Sequence, residues 1–274
     1  MSTLRYGAKY KLLLVTGGHP FARDAFHAIF DGFADCAVTA VEHPAAELFF
    51  SPALASPYDA LVLYDMPGID FAQRSPLRLV APPEALKRGW RALLASGKGI
   101  VFLHHAIAGW PAWPEYGDFT GARFLYTPGE ARGRSYPDSG YRHDVKHLVT
   151  PVDPKHPVFA GIERGYEISD ELYLCPVFEE LVTPLARSSH AFVPESFYSS
   201  ALAIAGTMFS NTGWTHPRGS KLAAWSQRIA RSQTATILGG DGPSAYENPA
   251  FRRLLENTVH WVADETRMLA SASA

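Results

Sequence analysis

The sequence predicts an α/β fold in which a parallel sheet carries helices on both faces. Three observations lead there. Apolar runs of strand length at 10–16, 58–65 and 100–103 alternate with stretches whose apolar residues recur at helical spacing. Each run ends in a glycine-rich or polar loop: Gly17-Gly18-His19-Pro20, Asp65-Met66-Pro67-Gly68, and the pair His104-His105. The chain has 274 residues, 47% hydrophobic and 19% charged, enough to build the full core of one large domain spanning 1–274.

Residues 10–16 (YKLLLVT) read as a buried strand. Glycines 17 and 18 allow a sharp turn and a close approach of backbone to ligand, and Pro20 suits the start of a helix. Phe21, Ala25, Ala28, Ile29 and Phe33 then predict a helix over 21–33. No G-x-G-x-x-G and no Gly-Lys-Ser/Thr is present, so this unit is neither a dinucleotide fingerprint nor a phosphate-binding P-loop. Residues 36–43 predict the second strand, 45–54 a short helix, 58–65 the third strand, and 69–83 a loop. Residues 83–96 predict a helix with Leu86, Trp90, Leu93 and Leu94 as its stripe and Gly97 as its stop.

The fourth strand, 100–103, runs directly into His104 and His105. Small residues follow, then Trp110, Trp113, Glu115 and Tyr116. Ligands of open α/β sheets bind at the carboxyl ends of the strands. The imidazole pair with Trp113 and Glu115 beside it therefore reads as a polar site with a stacking wall.

Beyond Asp118 the periodicity weakens. Residues 119–140 read as a long glycine- and proline-rich loop, a class that is usually functional or mobile. Residues 143–152 alternate as a strand does, 156–162 suggest a turn and a short helix, and 181–187 another strand. Residues 166–176 carry Glu167, Asp170 and Glu171 with Tyr173. Residues 190–221 read as a surface excursion, a lid or a contact within a homo-oligomer. Residues 222–239 predict a hairpin whose return strand, 233–238, enters the loop Gly239-Gly240-Asp241. Asn248 and Pro249 mark the start of a closing helix, and the tail after Asp264 is expected to fray.

A net charge of −2 gives no electrostatic footprint for nucleic acid or an anionic membrane. No apolar run of about 18 residues is present to span a bilayer. Two cysteines, Cys36 and Cys175, cannot build a disulfide framework and suit a reducing compartment. With no signal-peptide pattern at its start, a cytoplasmic location is expected.

Imidazoles and carboxylates at the strand ends are equipment for proton transfer, because histidine titrates near neutral pH and a carboxylate can orient or charge it. The same groups suit a divalent metal. No H-E-x-x-H is present, and the one H-x-x-x-H, His143 to His147, lies on an expected strand, so no metal is assigned. Nucleophilic catalysis has little to stand on: there is no G-x-S-x-G, and neither cysteine follows a strand at an elbow.

Several segments resemble the ThuA-like, trehalose-utilisation family within the class I glutamine amidotransferase-like superfamily: VTGGHPF at 15–21, YDALVLYD at 58–65, GKGIVFLHHA with WPEYGDFTGARF between 97 and 124, HPVFAGI at 156–162, DELY at 170–173, and AAWSQRIARSQTATILGGD with the closing HWV helix. The resemblance implies a three-layer, flavodoxin-like fold. It also places His104 where the glutaminases carry their nucleophilic cysteine, so glutamine hydrolysis is not expected. The family's usual Gly-His-Asp at the end of the last core strand reads Gly239-Gly240-Asp241 here, with Gly240 in place of the histidine. The implied role is carbohydrate catabolism on a sugar or a 3-keto-glycoside, with a small carbohydrate as partner. The expected catalytic residues are His104, His19, Glu171 and Asp241, with His104 or His19 as base. Gly18, His105, Trp113, Glu115, Tyr116, Asp170 and Tyr173 are expected to bind substrate. The alternatives are a non-catalytic sugar-binding or assembly module and a residual amidohydrolase using Cys36 or Cys175.

Overall fold

The computed structural model describes residues 5–74 and 76–272. The first half alternates strands and helices: β1 (Tyr10–Gly17), α1 (Arg23–Asp31), β2 (Cys36–Glu42), α2 (Pro52–Ala55), β3 (Ala60–Asp65), the short pair β4 (Ile69–Arg74) and β5 (Leu77–Leu79), α3 (Glu84–Ala95), β6 (Gly99–Leu103) and α4 (Pro114–Thr120). The second half is richer in strands: β7 (Gly129–Ala131), β8 (Arg134–Tyr136), β9 (Gly140–Pro151), β10 (Tyr166–Leu174), β11 (Thr183–Ser188), β12 (Tyr198–Ser199), α5 (Ser200–Ile204), β13 (Leu222–Ile229), β14 (Ser232–Ile237), α6 (Pro243–Tyr246) and α7 (Pro249–Ser271). One ten-stranded sheet runs β10-β9-β11-β13-β14-β6-β3-β1-β2, with β12 added beside β9.

The strands β14, β6, β3, β1 and β2 are parallel to one another in that order. Their alternate residues feed two separate cores. Leu12, Leu14, Val62 and Val101 pack under α1 and α7, whereas Leu13, Leu61, Leu63 and Phe102 pack against Trp90, Leu93 and Leu94 of α3. Burial on both faces is why β1, β3 and β6 read as continuous apolar runs. The rest of the sheet is antiparallel, so the expectation of a parallel sheet holds for half of it. The reversal begins at the β13–β14 hairpin, where Ile229 faces Ser232. A hairpin return cannot be parallel.

Other expectations need correction. Residues 69–83, expected as a loop, contain the β4–β5 ribbon. The helix expected over 45–54 is two shorter pieces, a 3₁₀ turn Ala45–Phe49 and α2. Residues 119–140 carry the β7–β8 hairpin, whose turn residues Arg132 and Gly133 both have positive φ, as a tight hairpin requires. The excursion at 190–221 is anchored rather than loose. Phe192 and Phe197 are buried, and the Asp138 carboxylate accepts hydrogen bonds from the Ser199 hydroxyl (2.6 Å) and the Ala201 N–H (2.9 Å). Helix α7 does not fray after Asp264 but runs to Ser271. The Gly99 N–H donates to Thr266 Oγ1 (2.6 Å), Arg267 reaches the Lys9 carbonyl (3.1 Å) and Glu265 pairs with Arg228 (2.7 Å), which dock its last turns on the sheet. Asn248 caps the start through its Oδ1, which accepts from Ala250 and Phe251. Among the described residues no helix is long and apolar enough to cross a membrane.

One glycine gives this packing a sharp test. A Cβ on Gly89 of α3 would stand 2.2 Å from the Phe50 carbonyl oxygen. Helix propensity alone would make Gly89→Ala stabilising by about 1 kcal/mol. The clash is with backbone, so the variant should instead lose about 1–3 kcal/mol. Urea unfolding decides the sign, and a raised midpoint would show that α3 does not pack this closely.

Candidate active site

Strand β6 is buried throughout, and the chain leaves it through a 3₁₀ turn, His104–Ala108. His104 takes a φ of +41°, in the left-handed region that a non-glycine residue avoids at a cost of about 1–3 kcal/mol. Its ring is fully buried and stacks on Tyr173, centroids 4.5 Å apart. Nδ1 lies 2.7 Å from the Leu238 carbonyl oxygen. A carbonyl only accepts, so Nδ1 carries a proton. Nε2 lies 3.0 Å from Glu171 Oε2 and 3.5 Å from Asp241 Oδ1. Burial opposes a charged ring, but the bonds to Asp241 and Glu171 outweigh it and hold the His104 pKa well above the usual histidine value.

The carboxylates come from β10 and from the loop after β14. Glu171 stands on the first and Asp241 in the second. Asp170 ties the two together: its buried carboxylate accepts the backbone N–H groups of Glu171 (2.9 Å), Asp241 (3.1 Å) and Gly240. Burial pushes the Asp170 pKa up to about 6, against the pull of His104 and of those N–H groups. A Cβ on Gly239 would lie 2.6 Å from Asp170 Oδ2, so only glycine lets this loop close on the carboxylate. For Asp241, burial also works against charge, but the charged His104 beside it holds it well below the usual carboxylate range.

A β-bulge adds a further imidazole. Pairing between β9 and β10 passes from Val145–Asp170 to Arg142–Leu172, so His143 and Asp144 together oppose Glu171, and Asp144 has φ +55°. His143 Nδ1 reaches 3.2 Å from Glu171 Oε1 and 4.0 Å from Asp241 Oδ2. A cavity of about 190 Å³ opens here, with His19, His143, Glu171 and Tyr173 among its walls. His19 lies against His105, centroids 4.1 Å apart, and burial lowers its pKa.

His105 is almost fully buried, and neither ring nitrogen makes a hydrogen bond, although Nε2 is 3.2 Å from Asp241 Oδ1. Burial pushes its pKa down to about 3, so the ring is neutral. An orphaned neutral imidazole, a second imidazole fixed through Nδ1 by a carbonyl, and two carboxylates form a donor set that suits zinc, iron or manganese. The ligand atoms of His104, His105, Glu171 and Asp241 lie within 4.8 Å of one another, so the cluster could hold a divalent ion. Asp35, Cys36 and His260 form a second such group. There His260 Nε2 lies 3.0 Å from Asp35 Oδ1 and 3.6 Å from Cys36 Sγ.

The structure thus brings His104, His105, His19, Glu171, Asp241 and Tyr173 together, with Asp170 behind them. It takes Trp113, Glu115 and Tyr116 elsewhere. Helix α4 turns Tyr116 and Phe119 onto Trp90, and Trp113 packs with them in the α3 core. Glu115 pairs with Arg91 (2.8 Å). The aromatic wall comes instead from Phe124, Tyr126 and Tyr141. Gly18 is fixed by backbone crowding, since a Cβ there would meet the Met66 carbonyl at 2.3 Å. Asp65 turns away from the cluster to His43 (2.7 Å). Neither cysteine is among the residues lining the cavity. In the sequence His143 stands out only as part of H-x-x-x-H. The bulge sends it to Glu171 and leaves His147 on the Ser188 hydroxyl (2.8 Å). No local sequence signal marks that phase shift.

A family model described as ThuA, trehalose utilisation, matches residues 13–262. No curated protein matches the chain. Among solved structures, a protein described as ThuA-like from Parabacteroides merdae superposes with a TM-score of 0.62 at 16% identity, covering 93% of this chain and 90% of its own. A second ThuA-like protein, from Bacteroides uniformis, gives 0.60 at 14% identity over 95% and 94%. At these identities the likeness is one of fold.

Two measurements follow from the geometry. Equilibrated with Zn²⁺ or Mn²⁺, the protein should bind one ion fewer per chain when His105→Ala or Asp241→Ala is introduced; elemental analysis showing unchanged stoichiometry in both would remove this cluster as a metal centre. The second concerns His43, whose pKa is raised: burial opposes its charge, but Asp65 and Glu47 outweigh burial. The pair therefore stabilises the fold fully below about pH 6.5, the unfolded histidine value, and loses that contribution as pH rises through the folded value. NMR titration should find His43 above the ordinary value and Asp65→Asn should bring it down; an unshifted His43 would contradict the pair.

Proposed function

We propose, for a chain that belongs to the ThuA, trehalose-utilisation family, a carbohydrate-catabolism enzyme acting by general acid–base chemistry on an oxidised sugar of the 3-keto-glycoside class. The observation that carries the reading is the convergence of imidazoles and two carboxylates behind one cavity that His19, His143 and Glu171 line. We read the sheet as flavodoxin-like and amidotransferase-like, with His104 at the elbow that follows the strand. A histidine there cannot form a thioester, which argues against a glutaminase.

The chemistry follows from what each group can reach. A ketone acidifies the proton on the neighbouring carbon. His19, which lines the cavity and lies against the His105 ring, takes that proton. The electron pair of the broken C–H bond forms the double bond conjugated with the ketone, and the bond to the glycosidic oxygen breaks. His143, oriented by Glu171, gives a proton to the departing oxygen. His104 is fully buried and does not line the cavity, so we assign it as a positioning residue whose charge keeps Glu171 and Asp241 in place. A divalent ion on His104, His105, Glu171 and Asp241 would take the place of the His104 Nε2 proton, leaving that ring neutral, and would polarise the ketone oxygen. Where the family pattern has a histidine at 240, this chain has glycine at φ +114°, and a Cβ there would crowd Phe251 and Leu103 at 3.0 and 3.1 Å. His143 then serves as the imidazole beside the carboxylates.

Incubating 3-keto-trehalose and 3-keto-glucosides with metal-free and metal-supplemented protein, followed by mass spectrometry and NMR, tests this. Wild type should release the aglycone or second sugar, and Glu171→Gln and His19→Ala should each lose about 10²–10⁴-fold in rate. Sugar binding without turnover under any condition would leave a binding module.

A further inference from the structure

The cavity walls carry more information than its reacting end. Beyond His19, His143 and Glu171, three of the polar side chains lining it already have backbone partners. Tyr126 donates its hydroxyl to the Ala108 carbonyl (3.1 Å), Ser200 donates to the Leu125 carbonyl (3.1 Å), and the Tyr141 hydroxyl accepts the Phe209 N–H (3.1 Å). Much of the remaining surface is apolar: Met66, Phe71 and Phe124 from the first half of the chain, and Ala203, Ile204 and Met208 from the segment around α5. Among the described lining residues there is no Arg, Lys, Asn, Gln or Asp. A second sugar ring would surrender several hydroxyl–water bonds on entering and find, on the walls, mainly the Tyr173 hydroxyl and the Tyr141 O–H proton to replace them.

The mouth continues the pattern. Met208 and Phe209 are 52% and 58% exposed. Phe209 is held at φ +56°, edge-on to His143 (6.1 Å) and to Tyr198 (5.7 Å). Exposed apolar side chains gathered at the rim of a cavity mark a place that a ligand covers, and a methionine beside aromatics suits a ring.

We propose that this cavity takes glycosides of an apolar aglycone, of aryl type, with the sugar at the Glu171 end and the aryl group between Ile204 and Met208. This rests on the reading that a sugar reacts at that end, and the two can fail separately because one is read by binding and the other by turnover. Calorimetry on the full chain compares phenyl glucoside, methyl glucoside and trehalose. Phenyl glucoside should bind about tenfold or more tighter than either, as burial of a phenyl group implies. Met208→Gln and Ile204→Gln, with circular dichroism matching wild type, should bring that ratio toward one. A preference for phenyl glucoside that collapses in both variants supports the proposal even if no 3-keto-glycoside is turned over. Equal or tighter binding of trehalose overturns it even if 3-keto-trehalose is cleaved. A phenyl preference that survives both substitutions, or no binding of any glycoside, overturns it as well.

Discussion

A histidine with both nitrogens facing acceptors is the constraint on which the site rests. His104 has a carbonyl on one side and two carboxylates on the other. Buried carboxylates without a cation would be driven to protonate, and a buried imidazolium without anions would lose its proton. Each makes the other tolerable. The backbone strain at His104 is offset only if the Leu238 carbonyl, Glu171 and Asp241 all arrive. Asp170 sees to that by clamping the two chain segments that bring the carboxylates. Around this centre the protein separates two environments: polar groups at the inner end of the cavity, and apolar or already bonded groups along its walls.

How much of this is legible in the sequence depends on what each segment is asked to bury. Strands β1, β3 and β6 are legible because both their faces are covered, so their residues are apolar without alternation. Strand β10 does not read as a strand, although most of it is buried, because Glu167, Asp170 and Glu171 interrupt the apolar pattern. Asp170 and Glu171 carry the contacts to His104 and to the loop after β14, and their charges hide the strand. The excursion at 190–221 misleads for a related reason. Its Pro, Ser, Gly and Asn content belongs to a surface, but its Phe192 and Phe197 are buried and its α5 region walls the cavity.

The site divides along the same line. His104, Glu171 and Asp241 can be suspected because strand ends of α/β sheets meet at one edge. Trp113, Glu115 and Tyr116 are suggested by adjacency in sequence, which carries no weight once α4 places two of them in a different core. His143 depends on a bulge, and a bulge is a property of two strands together. Nothing within 140–151 alone announces it.

The distances along the chain between the groups of this site have a consequence for assembly. His104 meets Glu171 and Leu238 across 67 and 134 residues. Strands β1, β2, β3 and β6 can gather while β14 is still unplaced, but the histidine has no anions until β10 and the loop after β14 have docked. Long loop closures of this kind are slow and come late. The site should therefore be the last part of the molecule to form and the first to open, since releasing one loop dissolves it while the layered core stands. Amide exchange at residues 239–241 would then report the competence of the protein more sensitively than any probe of its secondary structure.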